Sequence, residues 1–511
     1  MSLLKSIRIE HPRFLLVYSP LEFAPNEMAK PDGSLSLPYV AGALRRAGYE
    51  VRILDASVGN AKDDVQDSFF TTTYLPTGLV RCGISRDRIV EEIEDADVIG
   101  ISSIFTTQTK MVFEIVQTVK ETDPGKLVIA GGVNSRNLRQ RFFAAGADII
   151  MTGEAELSIV EVADAIRGKG DLSDVHGIAF MEDGREVLTP PARLVNDLDE
   201  LPFPAWDLLP LDKYWEISRP HGGEFPPGMR IQYASLQSTR GCPFHCKYCH
   251  ISKEDEDGMT GGIGRFRLKS IERTLEELGR LKDLGAEYIF FEDDSLLAKK
   301  KRAAKLFKEA GKMGLKLADV NGVNIVHLLK NEGNGHRLAV DVEFLEVIAE
   351  AGFKWFHLPF ESGNQRLLDE YSTSKWVIEN SPIEDLIRKC GEFGISVAGN
   401  YIIGYPDETI EEIYTTIRMA KRHVEQGLNH AALFAMVPFP GTEVYDRVIA
   451  NGQLDPDFDT DTMKWTKSML KGLAVPAEAL EYMRQLAWLT VNRSDFVNYK
   501  IGQRVATPVE G

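Results

Sequence analysis

Cysteine is scarce in this chain. Only five of its 511 residues are cysteines, which is too few for the disulfide framework that stabilises many small secreted proteins. Three of the five are clustered at Cys242, Cys246 and Cys249. The chain therefore carries a candidate metal site rather than a set of disulfides, and its composition fits a reducing cytoplasm.

Long apolar runs and a surplus of positive charge are also missing. No stretch is long and apolar enough to cross a bilayer, and residues 1–10 contain no apolar run of the kind found in signal peptides, so we expect no membrane span. The formal net charge of −17 opposes binding to a phosphate backbone, which requires clustered Lys and Arg. We therefore expect a small-molecule substrate and no nucleic acid.

The clustered cysteines have the spacing C-x3-C-x2-C and lie in residues 238–250, which we call the cysteine loop. Three thiolates can bind three corners of a cubane iron–sulfur cluster, which leaves the fourth iron open to a small chelating molecule. Gly241 and Pro243 favour a turn that lets the thiolates converge. The aromatic, imidazole and amino groups between the cysteines could shield such a cluster or donate hydrogen bonds to it.

A zinc site is the alternative for the same cysteines. Zinc sites usually combine two separated ligand pairs, and the sequence contains no second pair. His245 and His250 could complete a zinc site, so the spacing alone leaves this alternative open.

Residues 13–154 alternate short apolar runs with helical patterns. This alternation predicts a Rossmann-like, doubly wound parallel sheet, whose ligands bind at the carboxyl ends of the strands. A G-x-G-x-x-G dinucleotide fingerprint is missing after the first run. The predicted strand ends are instead small and mostly uncharged, which suits a large flat ligand better than a phosphate. The candidate binding residues at these ends are Ser102, Ser103, Gly131, Gly132, Gly153 and Glu154.

A second series of six apolar runs alternates with helical patterns in residues 230–442. The first run leads into the cysteine loop, so the pattern predicts a partial (β/α)6 barrel with its chemistry at the carboxyl ends of the strands. Proline crowds the stretch before the barrel. We therefore expect an α/β domain over residues 1–187, a linker over 188–229, the barrel over 230–442 and a C-terminal helical domain over 443–511.

Polar residues follow several of the predicted barrel strands. They are Glu292 and Asp293 after the second strand, Glu361 and Ser362 after the fourth, and Gly404 after the fifth. An acidic group at such a strand end could bind an amino group of a ligand. Each acidic residue could instead cap the following helix, but the coincidence of several polar strand ends with the cysteine loop favours a ligand site.

The cysteine loop resembles that of the radical S-adenosylmethionine (SAM) superfamily, in which an aromatic residue, here Tyr248, precedes the last cysteine. The segments Glu361-Ser362-Gly363 and Gly404-Tyr405-Pro406 resemble strand ends of the same superfamily. The resemblance implies a [4Fe-4S] cluster that binds SAM and cleaves it reductively to a 5′-deoxyadenosyl radical. It places Glu361 and Ser362 near the methionyl and ribose groups of SAM and Gly404 near its adenine. It also implies an electron donor such as flavodoxin or ferredoxin.

The first half of the chain resembles the cobalamin-binding domain that precedes the cluster domain in one radical SAM class. The resemblance rests on Leu37-Pro38-Tyr39-Val40-Ala41, on the Gly131-Gly132 turn and on Gly153-Glu154-Ala155-Glu156. It implies that Pro38 and the small strand-end residues contact cobalamin. The D-x-H-x-x-G motif is missing, because Asp55 is followed by Ala56 and Ser57, so no lower histidine ligand is expected. A domain of this fold that binds nothing is the alternative.

By these resemblances the chain is identified as a member of the cobalamin-binding radical SAM family, similar to its class B methyltransferases. They imply an enzyme in which methylcobalamin methylates an unactivated carbon of a small molecule. The alternatives are a non-methylating radical SAM enzyme of the same architecture, such as a cyclase, dehydratase or mutase, and a non-catalytic iron–sulfur or cobalamin carrier. The sequence singles out no catalytic acid or base.

Overall fold

The structure is a computed structural model of the chain. It describes residues 8–505 except 26, 32–33, 222–224, 226–227, 255–257, 333–336 and 373–374. The described residues fall into two compact units. The first lies within Met1–His221, Glu254–Ile263 and Arg504–Gly511, and the second lies within Gly222–Lys253 and Gly264–Gln503.

A seven-stranded sheet organises the first unit. Its order is β10-β9-β8-β7-β6-β1-β3, and a smaller sheet contains β2, β5 and β4. The strands from β8 to β3 are parallel, which confirms the predicted doubly wound sheet, whereas β9 and β10 add an antiparallel hairpin. In chain order these strands are β1 (Arg13–Tyr18), β2 (Leu21–Phe23), β3 (Glu50–Asp55), β4 (Thr73–Tyr74), β5 (Val80–Cys82), β6 (Val98–Ser102), β7 (Leu127–Gly131), β8 (Ile149–Met151), β9 (Ile178–Glu182) and β10 (Arg185–Leu188).

The central strands of this sheet are buried on both faces, which explains their continuous apolar runs. Leu15, Ile99 and Val128 are each 0% exposed. If the five parallel strands are numbered along the chain, their order across the sheet is 2-1-3-4-5. Successive strands are therefore added in one direction from β1 to β3 and in the opposite direction from β6 onward. Such a switch point, here between β1 and β6, leaves a crevice at the carboxyl ends of the two strands, and Ser102 ends β6 there.

Helices connect these strands. The sequence pattern predicts one helix over residues 136–145, but the structure has two, because Leu138 leaves the helical conformation with φ −113° and ψ 28°. The helices of the first unit are α1 (Ser36–Arg46), α2 (Arg86–Ile93), α3 (Thr109–Thr122), α4 (Val133–Asn137), α5 (Arg139–Ala145), α6 (Ala155–Ile166) and α7 (Leu211–Ile217).

Residues 188–221, part of the expected linker, pack onto the first unit. The amide of Ala205 donates to the carbonyl of Pro38 in α1 at 2.9 Å, and the hydroxyl of Tyr214 donates to the buried carboxylate of Asp55 at 2.6 Å. Because buried polar groups require such partners, this stretch is part of the unit. Residues 222–224 and 226–227 of the expected linker lie outside the described residues.

Six parallel strands form the main sheet of the second unit, in the order β11-β14-β15-β18-β19-β20. This sequential order of parallel strands joined by helices confirms the predicted partial barrel, which stays open between its two edge strands. In chain order the strands are β11 (Tyr233–Leu236), β12 (Thr239–Arg240), β13 (Arg267–Leu268), β14 (Tyr288–Phe291), β15 (Lys316–Asp319), β16 (Leu329–Glu332), β17 (Arg337–Val340), β18 (Phe353–Glu361), β19 (Ser396–Ile403) and β20 (His430–Ala435).

The helices between these strands have clear local start signals. The helix after β19, for example, begins at a capping box in which Thr409 and Glu412 satisfy each other's backbone amides. No helix in the described ranges combines the length and apolar character that a bilayer crossing needs. In chain order the helices from residue 250 onward are α8 (His250–Glu254), α9 (Ile271–Asp283), α10 (Lys300–Gly311), α11 (Val342–Glu350), α12 (Gln365–Tyr371), α13 (Ile383–Glu392), α14 (Ile410–Glu425), α15 (Glu443–Ala450), α16 (Ala477–Val491) and α17 (Ser494–Val505).

The C-terminal helices pack within the second unit. Asn492 donates to the carbonyl of Ala431 at 2.9 Å and accepts from its amide at 2.7 Å. These bonds pair backbone groups of the edge strand β20 that a sheet edge would otherwise leave open. Leu480 of α16 packs against Ile403 and Ile413. Residues 443–503 therefore lie in the same compact unit as the barrel, and no boundary between compact units falls at residue 443.

Two helix glycines give a matched test of the packing on α1. A Cβ on Gly42 would lie 2.2 Å from the carbonyl oxygen of Phe203, whereas a Cβ on Gly391 in α13 would meet nothing within 4 Å. We expect Gly42→Ala to destabilise the first unit, because the clash outweighs a helix-propensity gain of about 1 kcal/mol. Gly391→Ala should stabilise the second unit by about 0.5 to 1 kcal/mol. Calorimetric unfolding checks the two signs, and an unchanged or raised melting temperature for Gly42→Ala would contradict the packing.

Candidate cofactor site

The cysteine loop starts near the carboxyl end of β11 and is anchored there by Asp293. This buried carboxylate accepts hydrogen bonds from the amide of Ser238 at 3.0 Å and from the hydroxyls of Ser238 and Thr239 at 2.8 and 2.7 Å. Burial raises the pKa of Asp293, while these hydrogen bonds oppose the shift. The amide of Gly241 donates to Asp294 Oδ2 at 2.8 Å. Asp293 and Asp294, which follow β14, therefore hold the first residues of the loop.

Gly241 is required by the turn that leads to the first cysteine. Its φ is 75°, in the left-handed region that favours glycine. A Cβ at this position would lie 2.3 Å from the carbonyl oxygen of Arg265 and 2.4 Å from that of Gly264. The amide of Cys242 donates to the same Gly264 carbonyl at 3.1 Å. The turn therefore fixes the backbone of Cys242 against a neighbouring segment.

The cysteine loop carries its three thiols into buried surroundings. Cys246 is 4% exposed, and Cys242 and Cys249 are partly buried. Burial raises the pKa of all three thiols, and that of Cys249 to about 12. Thiols that resist ionisation are poor nucleophiles, but they become thiolates when they coordinate a metal. The donor set therefore fits an iron–sulfur cluster.

A single metal ion and a cubane cluster need different arrangements of their ligands. In the described part of the chain, no group of three His, Cys, Asp or Glu side chains converges closely enough to hold a single metal ion. A cubane distributes its cysteines over separate iron atoms. Its ligands therefore do not have to converge on one point.

Tyr248, Glu361 and Lys375 form a hydrogen-bonded triad at the cysteine loop. Glu361 Oε1 accepts from the hydroxyl of Tyr248 at 2.6 Å and from the ammonium of Lys375 at 2.9 Å. Glu361 is 5% exposed and has a φ of 62°, a conformation that non-glycine residues rarely adopt. Such strain persists where the surroundings fix a residue, and it is concentrated at functional sites. The observed φ is compatible with a functional role for Glu361, and its contact with SAM stays a prediction.

Lys375 brings a positive charge to the cysteines. Burial acts to lower the pKa of Lys375, but the negative charges of Cys246 and Glu361 raise it above its ordinary value. The ammonium therefore stays protonated and can offset negative charge on the thiolates and on a bound cluster. The segment before Lys375 also contacts the loop, because the carbonyl of Ser372 lies 3.8 Å from Cys246 Sγ.

Glu292 and Ser362 occupy the strand ends at which the sequence predicts SAM contacts. Glu292 is partly buried directly after β14. Ser362 is 0% exposed, and its hydroxyl accepts from the amide of Asn364 at 3.1 Å and lies 3.3 Å from the hydroxyl of Thr416. The SAM contacts of Glu292 and Ser362 stay predictions. The SAM contact predicted for Asp293 also stays a prediction, and its side chain anchors the cysteine loop.

Gly404 turns the chain after β19 with a φ of 83°. The amides of Gly404 and Tyr405 donate to Glu408 Oε2 at 2.5 and 3.2 Å, and burial raises the pKa of Glu408 to about 8. Tyr405 is 1% exposed, and its hydroxyl has no hydrogen-bond partner among the described residues. Because buried hydroxyls are nearly always paired, this turn presents a donor that a bound ligand could satisfy.

In the first unit, Ser102, Ser103, Gly131 and Gly132 lie together at the switch point. The amide of Ser103 donates to the carbonyl of Gly131 at 2.7 Å, and a Cβ on Gly132 would lie 2.4 Å from the carbonyl oxygen of Ser103. Asn134 Nδ2 donates to the hydroxyl of Ser103 at 2.8 Å, whereas Asn134 Oδ1 is buried and finds no partner within the described ranges. This small, uncharged edge fits a large flat ligand such as cobalamin, to which Asn134 offers an acceptor.

Pro38, Gly153 and Glu154 have packing or electrostatic contacts of their own in the first unit. The carbonyl of Pro38 accepts the backbone hydrogen bond described above, and a Cβ on Gly153 would lie 2.5 Å from the Cβ of Ala192. Glu154 precedes α6 without a side-chain capping bond and attracts the buried Arg136, whose pKa burial lowers to about 10. The contacts predicted between these three residues and cobalamin stay predictions.

The sequence did not single out Lys375 or Asn134. Lys375 lies in a Ser-rich stretch without a recognisable motif, and only the fold brings its ammonium to Glu361. Asn134 lies two residues after the predicted Gly131-Gly132 turn. Its position after that turn is the one local signal that could have identified it.

Removing the ammonium of Lys375 would leave Glu361 buried without its cation. We expect Lys375→Met to destabilise the apoprotein by about 3 to 5 kcal/mol, because an uncompensated buried charge is costly. Adding Glu361→Gln should recover part of this loss, because the double variant contains no unpaired charge at this position. Denaturant unfolding of the single and double variants measures the coupling between the two side chains.

Lys389→Met is the matched control for this experiment. Lys389 pairs with Glu392 near the surface of α13 at 2.7 Å, and such a pair contributes at most about 1 kcal/mol. Equal losses of stability for Lys375→Met and Lys389→Met would contradict the importance of the buried pair.

Two family profiles match the chain. The radical SAM superfamily matches residues 236–420, and the B12 binding domain matches residues 33–163. The first range contains the cysteine loop and the triad, and the second contains the switch point of the first sheet. The radical SAM domain implies a [4Fe-4S] cluster and SAM, and the B12 binding domain implies cobalamin.

The chain is also similar to curated methyltransferases. It is 27% identical to the cytidylyl-2-hydroxyethylphosphonate methyltransferase of Streptomyces wedmorensis, over 85% of this chain and 81% of that protein. It is 28% identical to an uncharacterized methyltransferase of Pyrococcus horikoshii, over 89% of this chain and 86% of that protein. Coverage this high includes most of both sheets.

Among solved structures, the chain is similar to the radical S-adenosylmethionine methyltransferase TsrM from Kitasatospora setae. The TM-score is 0.63 at 16% identity, over 86% of this chain and 76% of that one. At this identity the similarity concerns the fold. Because the two profiles match in the same order as the two sheets, and both sheets have the expected topology, the chain combines a B12 binding domain with a radical SAM domain.

Proposed function

We propose that this protein is a cobalamin-dependent radical SAM methyltransferase that methylates an unactivated carbon of a small molecule. The observation that carries the proposal is the partly buried cysteine loop with the buried Lys375–Glu361 pair beside it, in a chain that also has a B12 binding domain. The similarity to curated methyltransferases supports the same reaction class. When bound, the cluster and SAM supply one-electron reductive cleavage of SAM, and cobalamin supplies a carrier for a methyl group.

The residues of the chain would bind and shield these groups. Cys242, Cys246 and Cys249 would hold three irons, while Lys375 offsets part of their negative charge. We assign Glu292 to the amino group of SAM, Glu361 and Ser362 to its methionyl and ribose groups and Gly404 to its adenine. The residues assigned to cobalamin are Pro38, Ser102, Ser103, Gly131, Gly132, Asn134, Gly153 and Glu154.

The proposal also specifies the surroundings of the reaction. It requires an electron donor such as flavodoxin or ferredoxin, and it places the protein in the reducing cytoplasm, where thiols stay available to a cluster. The net charge of −17 supports a small-molecule substrate over a nucleic acid.

Product analysis of the reconstituted full-length protein tests this function. The protein is loaded anaerobically with iron, sulfide and cobalamin, reduced, and incubated with SAM and a small-molecule cell extract. We expect both S-adenosylhomocysteine and 5′-deoxyadenosine, together with a compound that gains the mass of one methyl group. Production of 5′-deoxyadenosine without S-adenosylhomocysteine would contradict a methyltransferase and favour a non-methylating radical enzyme.

Iron analysis tests the cysteine loop separately. We expect Cys246→Ala to lose most of its iron and the corresponding visible absorbance, because two remaining thiolates cannot hold the cluster. Cys390, a 0% exposed cysteine of α13 outside the loop, provides the control, and Cys390→Ala should keep the iron content of the unmutated protein. Equal iron contents in the two variants would contradict the assignment of the cluster to this loop.

A further inference from the structure

The loop after the third barrel strand contains buried polar atoms that the assigned cofactors do not use. This third-strand loop comprises residues 319–328. Asp319, the last residue of β15, is 0% exposed, and its Oδ2 accepts from the amide of Gly322 at 2.9 Å. Its Oδ1 is buried and has no hydrogen-bond partner of good geometry among the described residues, although a backbone interaction with His357 acts to lower the pKa of Asp319. An unpaired buried oxygen is costly unless a further group satisfies it.

Two more residues of the third-strand loop have buried polar atoms without a hydrogen-bond partner among the described residues. Asn324 is 7% exposed, and its Oδ1 caps the short helix Ile325–Leu328 by accepting from the amide of Val326 at 3.3 Å. Asn324 Nδ2 and His327 Nδ1 are both buried without a partner in the part of the chain that the structure describes. One loop therefore holds three unpaired polar atoms.

The third-strand loop lies beside the cysteine loop. The ring of His327 packs against the ring of Phe244, which lies between Cys242 and Cys246, with a centroid distance of 5.6 Å. The amide of Val323 donates to the carbonyl of His357 in β18 at 2.8 Å, which ties the loop to the next strand of the barrel. The unpaired atoms are therefore at the end of the barrel where its chemistry is expected.

Burial disfavours charge on both titratable side chains of the third-strand loop. Burial lowers the pKa of His327 to about 4, so its imidazole is neutral, and burial raises the pKa of Asp319 well above its ordinary value, which favours the protonated carboxyl. Lys300 is a nearby cation, but it is ion-paired with Asp341. An anionic ligand group would therefore lose its water here without gaining a free cation.

We propose that Asp319, Asn324 and His327 bind an uncharged hydrogen-bonding group of the methyl acceptor, such as a carboxamide or a hydroxyl. Such a group combines a donor and an acceptor, which complements an amide N–H, a carboxyl group and a neutral imidazole. This inference rests on the proposed function for the identity of the ligand as methyl acceptor. It excludes a carboxylate or phosphate as the part of the acceptor that enters the third-strand loop.

Small paired probes test the preference for a neutral group. Saturation-transfer NMR of the anaerobically reconstituted full-length protein with SAM compares propionamide with propionate. We expect propionamide to bind and propionate not to bind. Equal or stronger binding of propionate, or no binding of propionamide, would overturn the inference.

Two substitutions locate the binding to the third-strand loop. His327→Phe keeps an aromatic ring against Phe244 but removes both ring nitrogens, and Asn324→Asp keeps the capping oxygen but replaces the Nδ2 donor. Each should weaken propionamide binding about tenfold, the effect of one lost buried hydrogen bond. Asn321→Ala, at an exposed position of the same loop, should leave propionamide binding unchanged.

Iron content and SAM affinity serve as controls in every variant. If His327→Phe or Asn324→Asp lowers SAM affinity by the same factor, these atoms bind SAM and the inference is wrong. Unchanged propionamide binding in both variants would also refute it. Because this binding is measured without turnover, a protein that binds propionamide through His327 but forms 5′-deoxyadenosine without S-adenosylhomocysteine would refute the methyltransferase and retain the neutral binding loop.

Discussion

The arrangement of the cysteine loop in the second unit depends on buried carboxylates that are each paired with neighbouring donors. Two strand ends provide these carboxylates from different sides of the cysteine loop. Asp293 accepts hydrogen bonds from the residues that lead into the loop, and Glu361 binds Tyr248 within the loop and Lys375 beside it. Because buried charges are costly unless they are paired, these contacts favour one arrangement of the loop. The same arrangement gives the cysteines a nearby cation.

Several unpaired buried polar atoms lie at the carboxyl ends of the strands in both sheets. Folded proteins pair nearly all their buried polar groups, but Asn134 Oδ1 in the first unit and the Tyr405 hydroxyl, Asn324 Nδ2 and His327 Nδ1 in the second have no partner among the described residues. All four follow the carboxyl ends of parallel strands, where such sheets bind ligands. The unpaired atoms therefore point to ligand contacts that the protein alone does not complete.

The sequence could predict the doubly wound sheet, the partial barrel and the candidate cluster site, because apolar periodicity and motif spacing are local properties. It could not predict Lys375 or the third-strand loop, whose environments arise when distant segments pack together. Asp293 shows a second limit. An acid at a strand end can bind a ligand or hold a neighbouring loop, and only the direction of its side chain distinguishes the two. Residues 188–221 of the expected linker pack onto the first unit for a similar reason, because Tyr214 donates to Asp55, which is far away in the chain.

The proposed reaction requires that three cysteines hold a cluster whose fourth iron is open to SAM. Electron–nuclear double resonance on the reduced, reconstituted protein tests it most directly, with SAM labelled with ¹⁵N at its amino group and ¹⁷O at its carboxylate. The account predicts hyperfine coupling of both labels to the cluster. Absence of coupling from either label, with SAM bound and the cluster intact, would contradict the open iron.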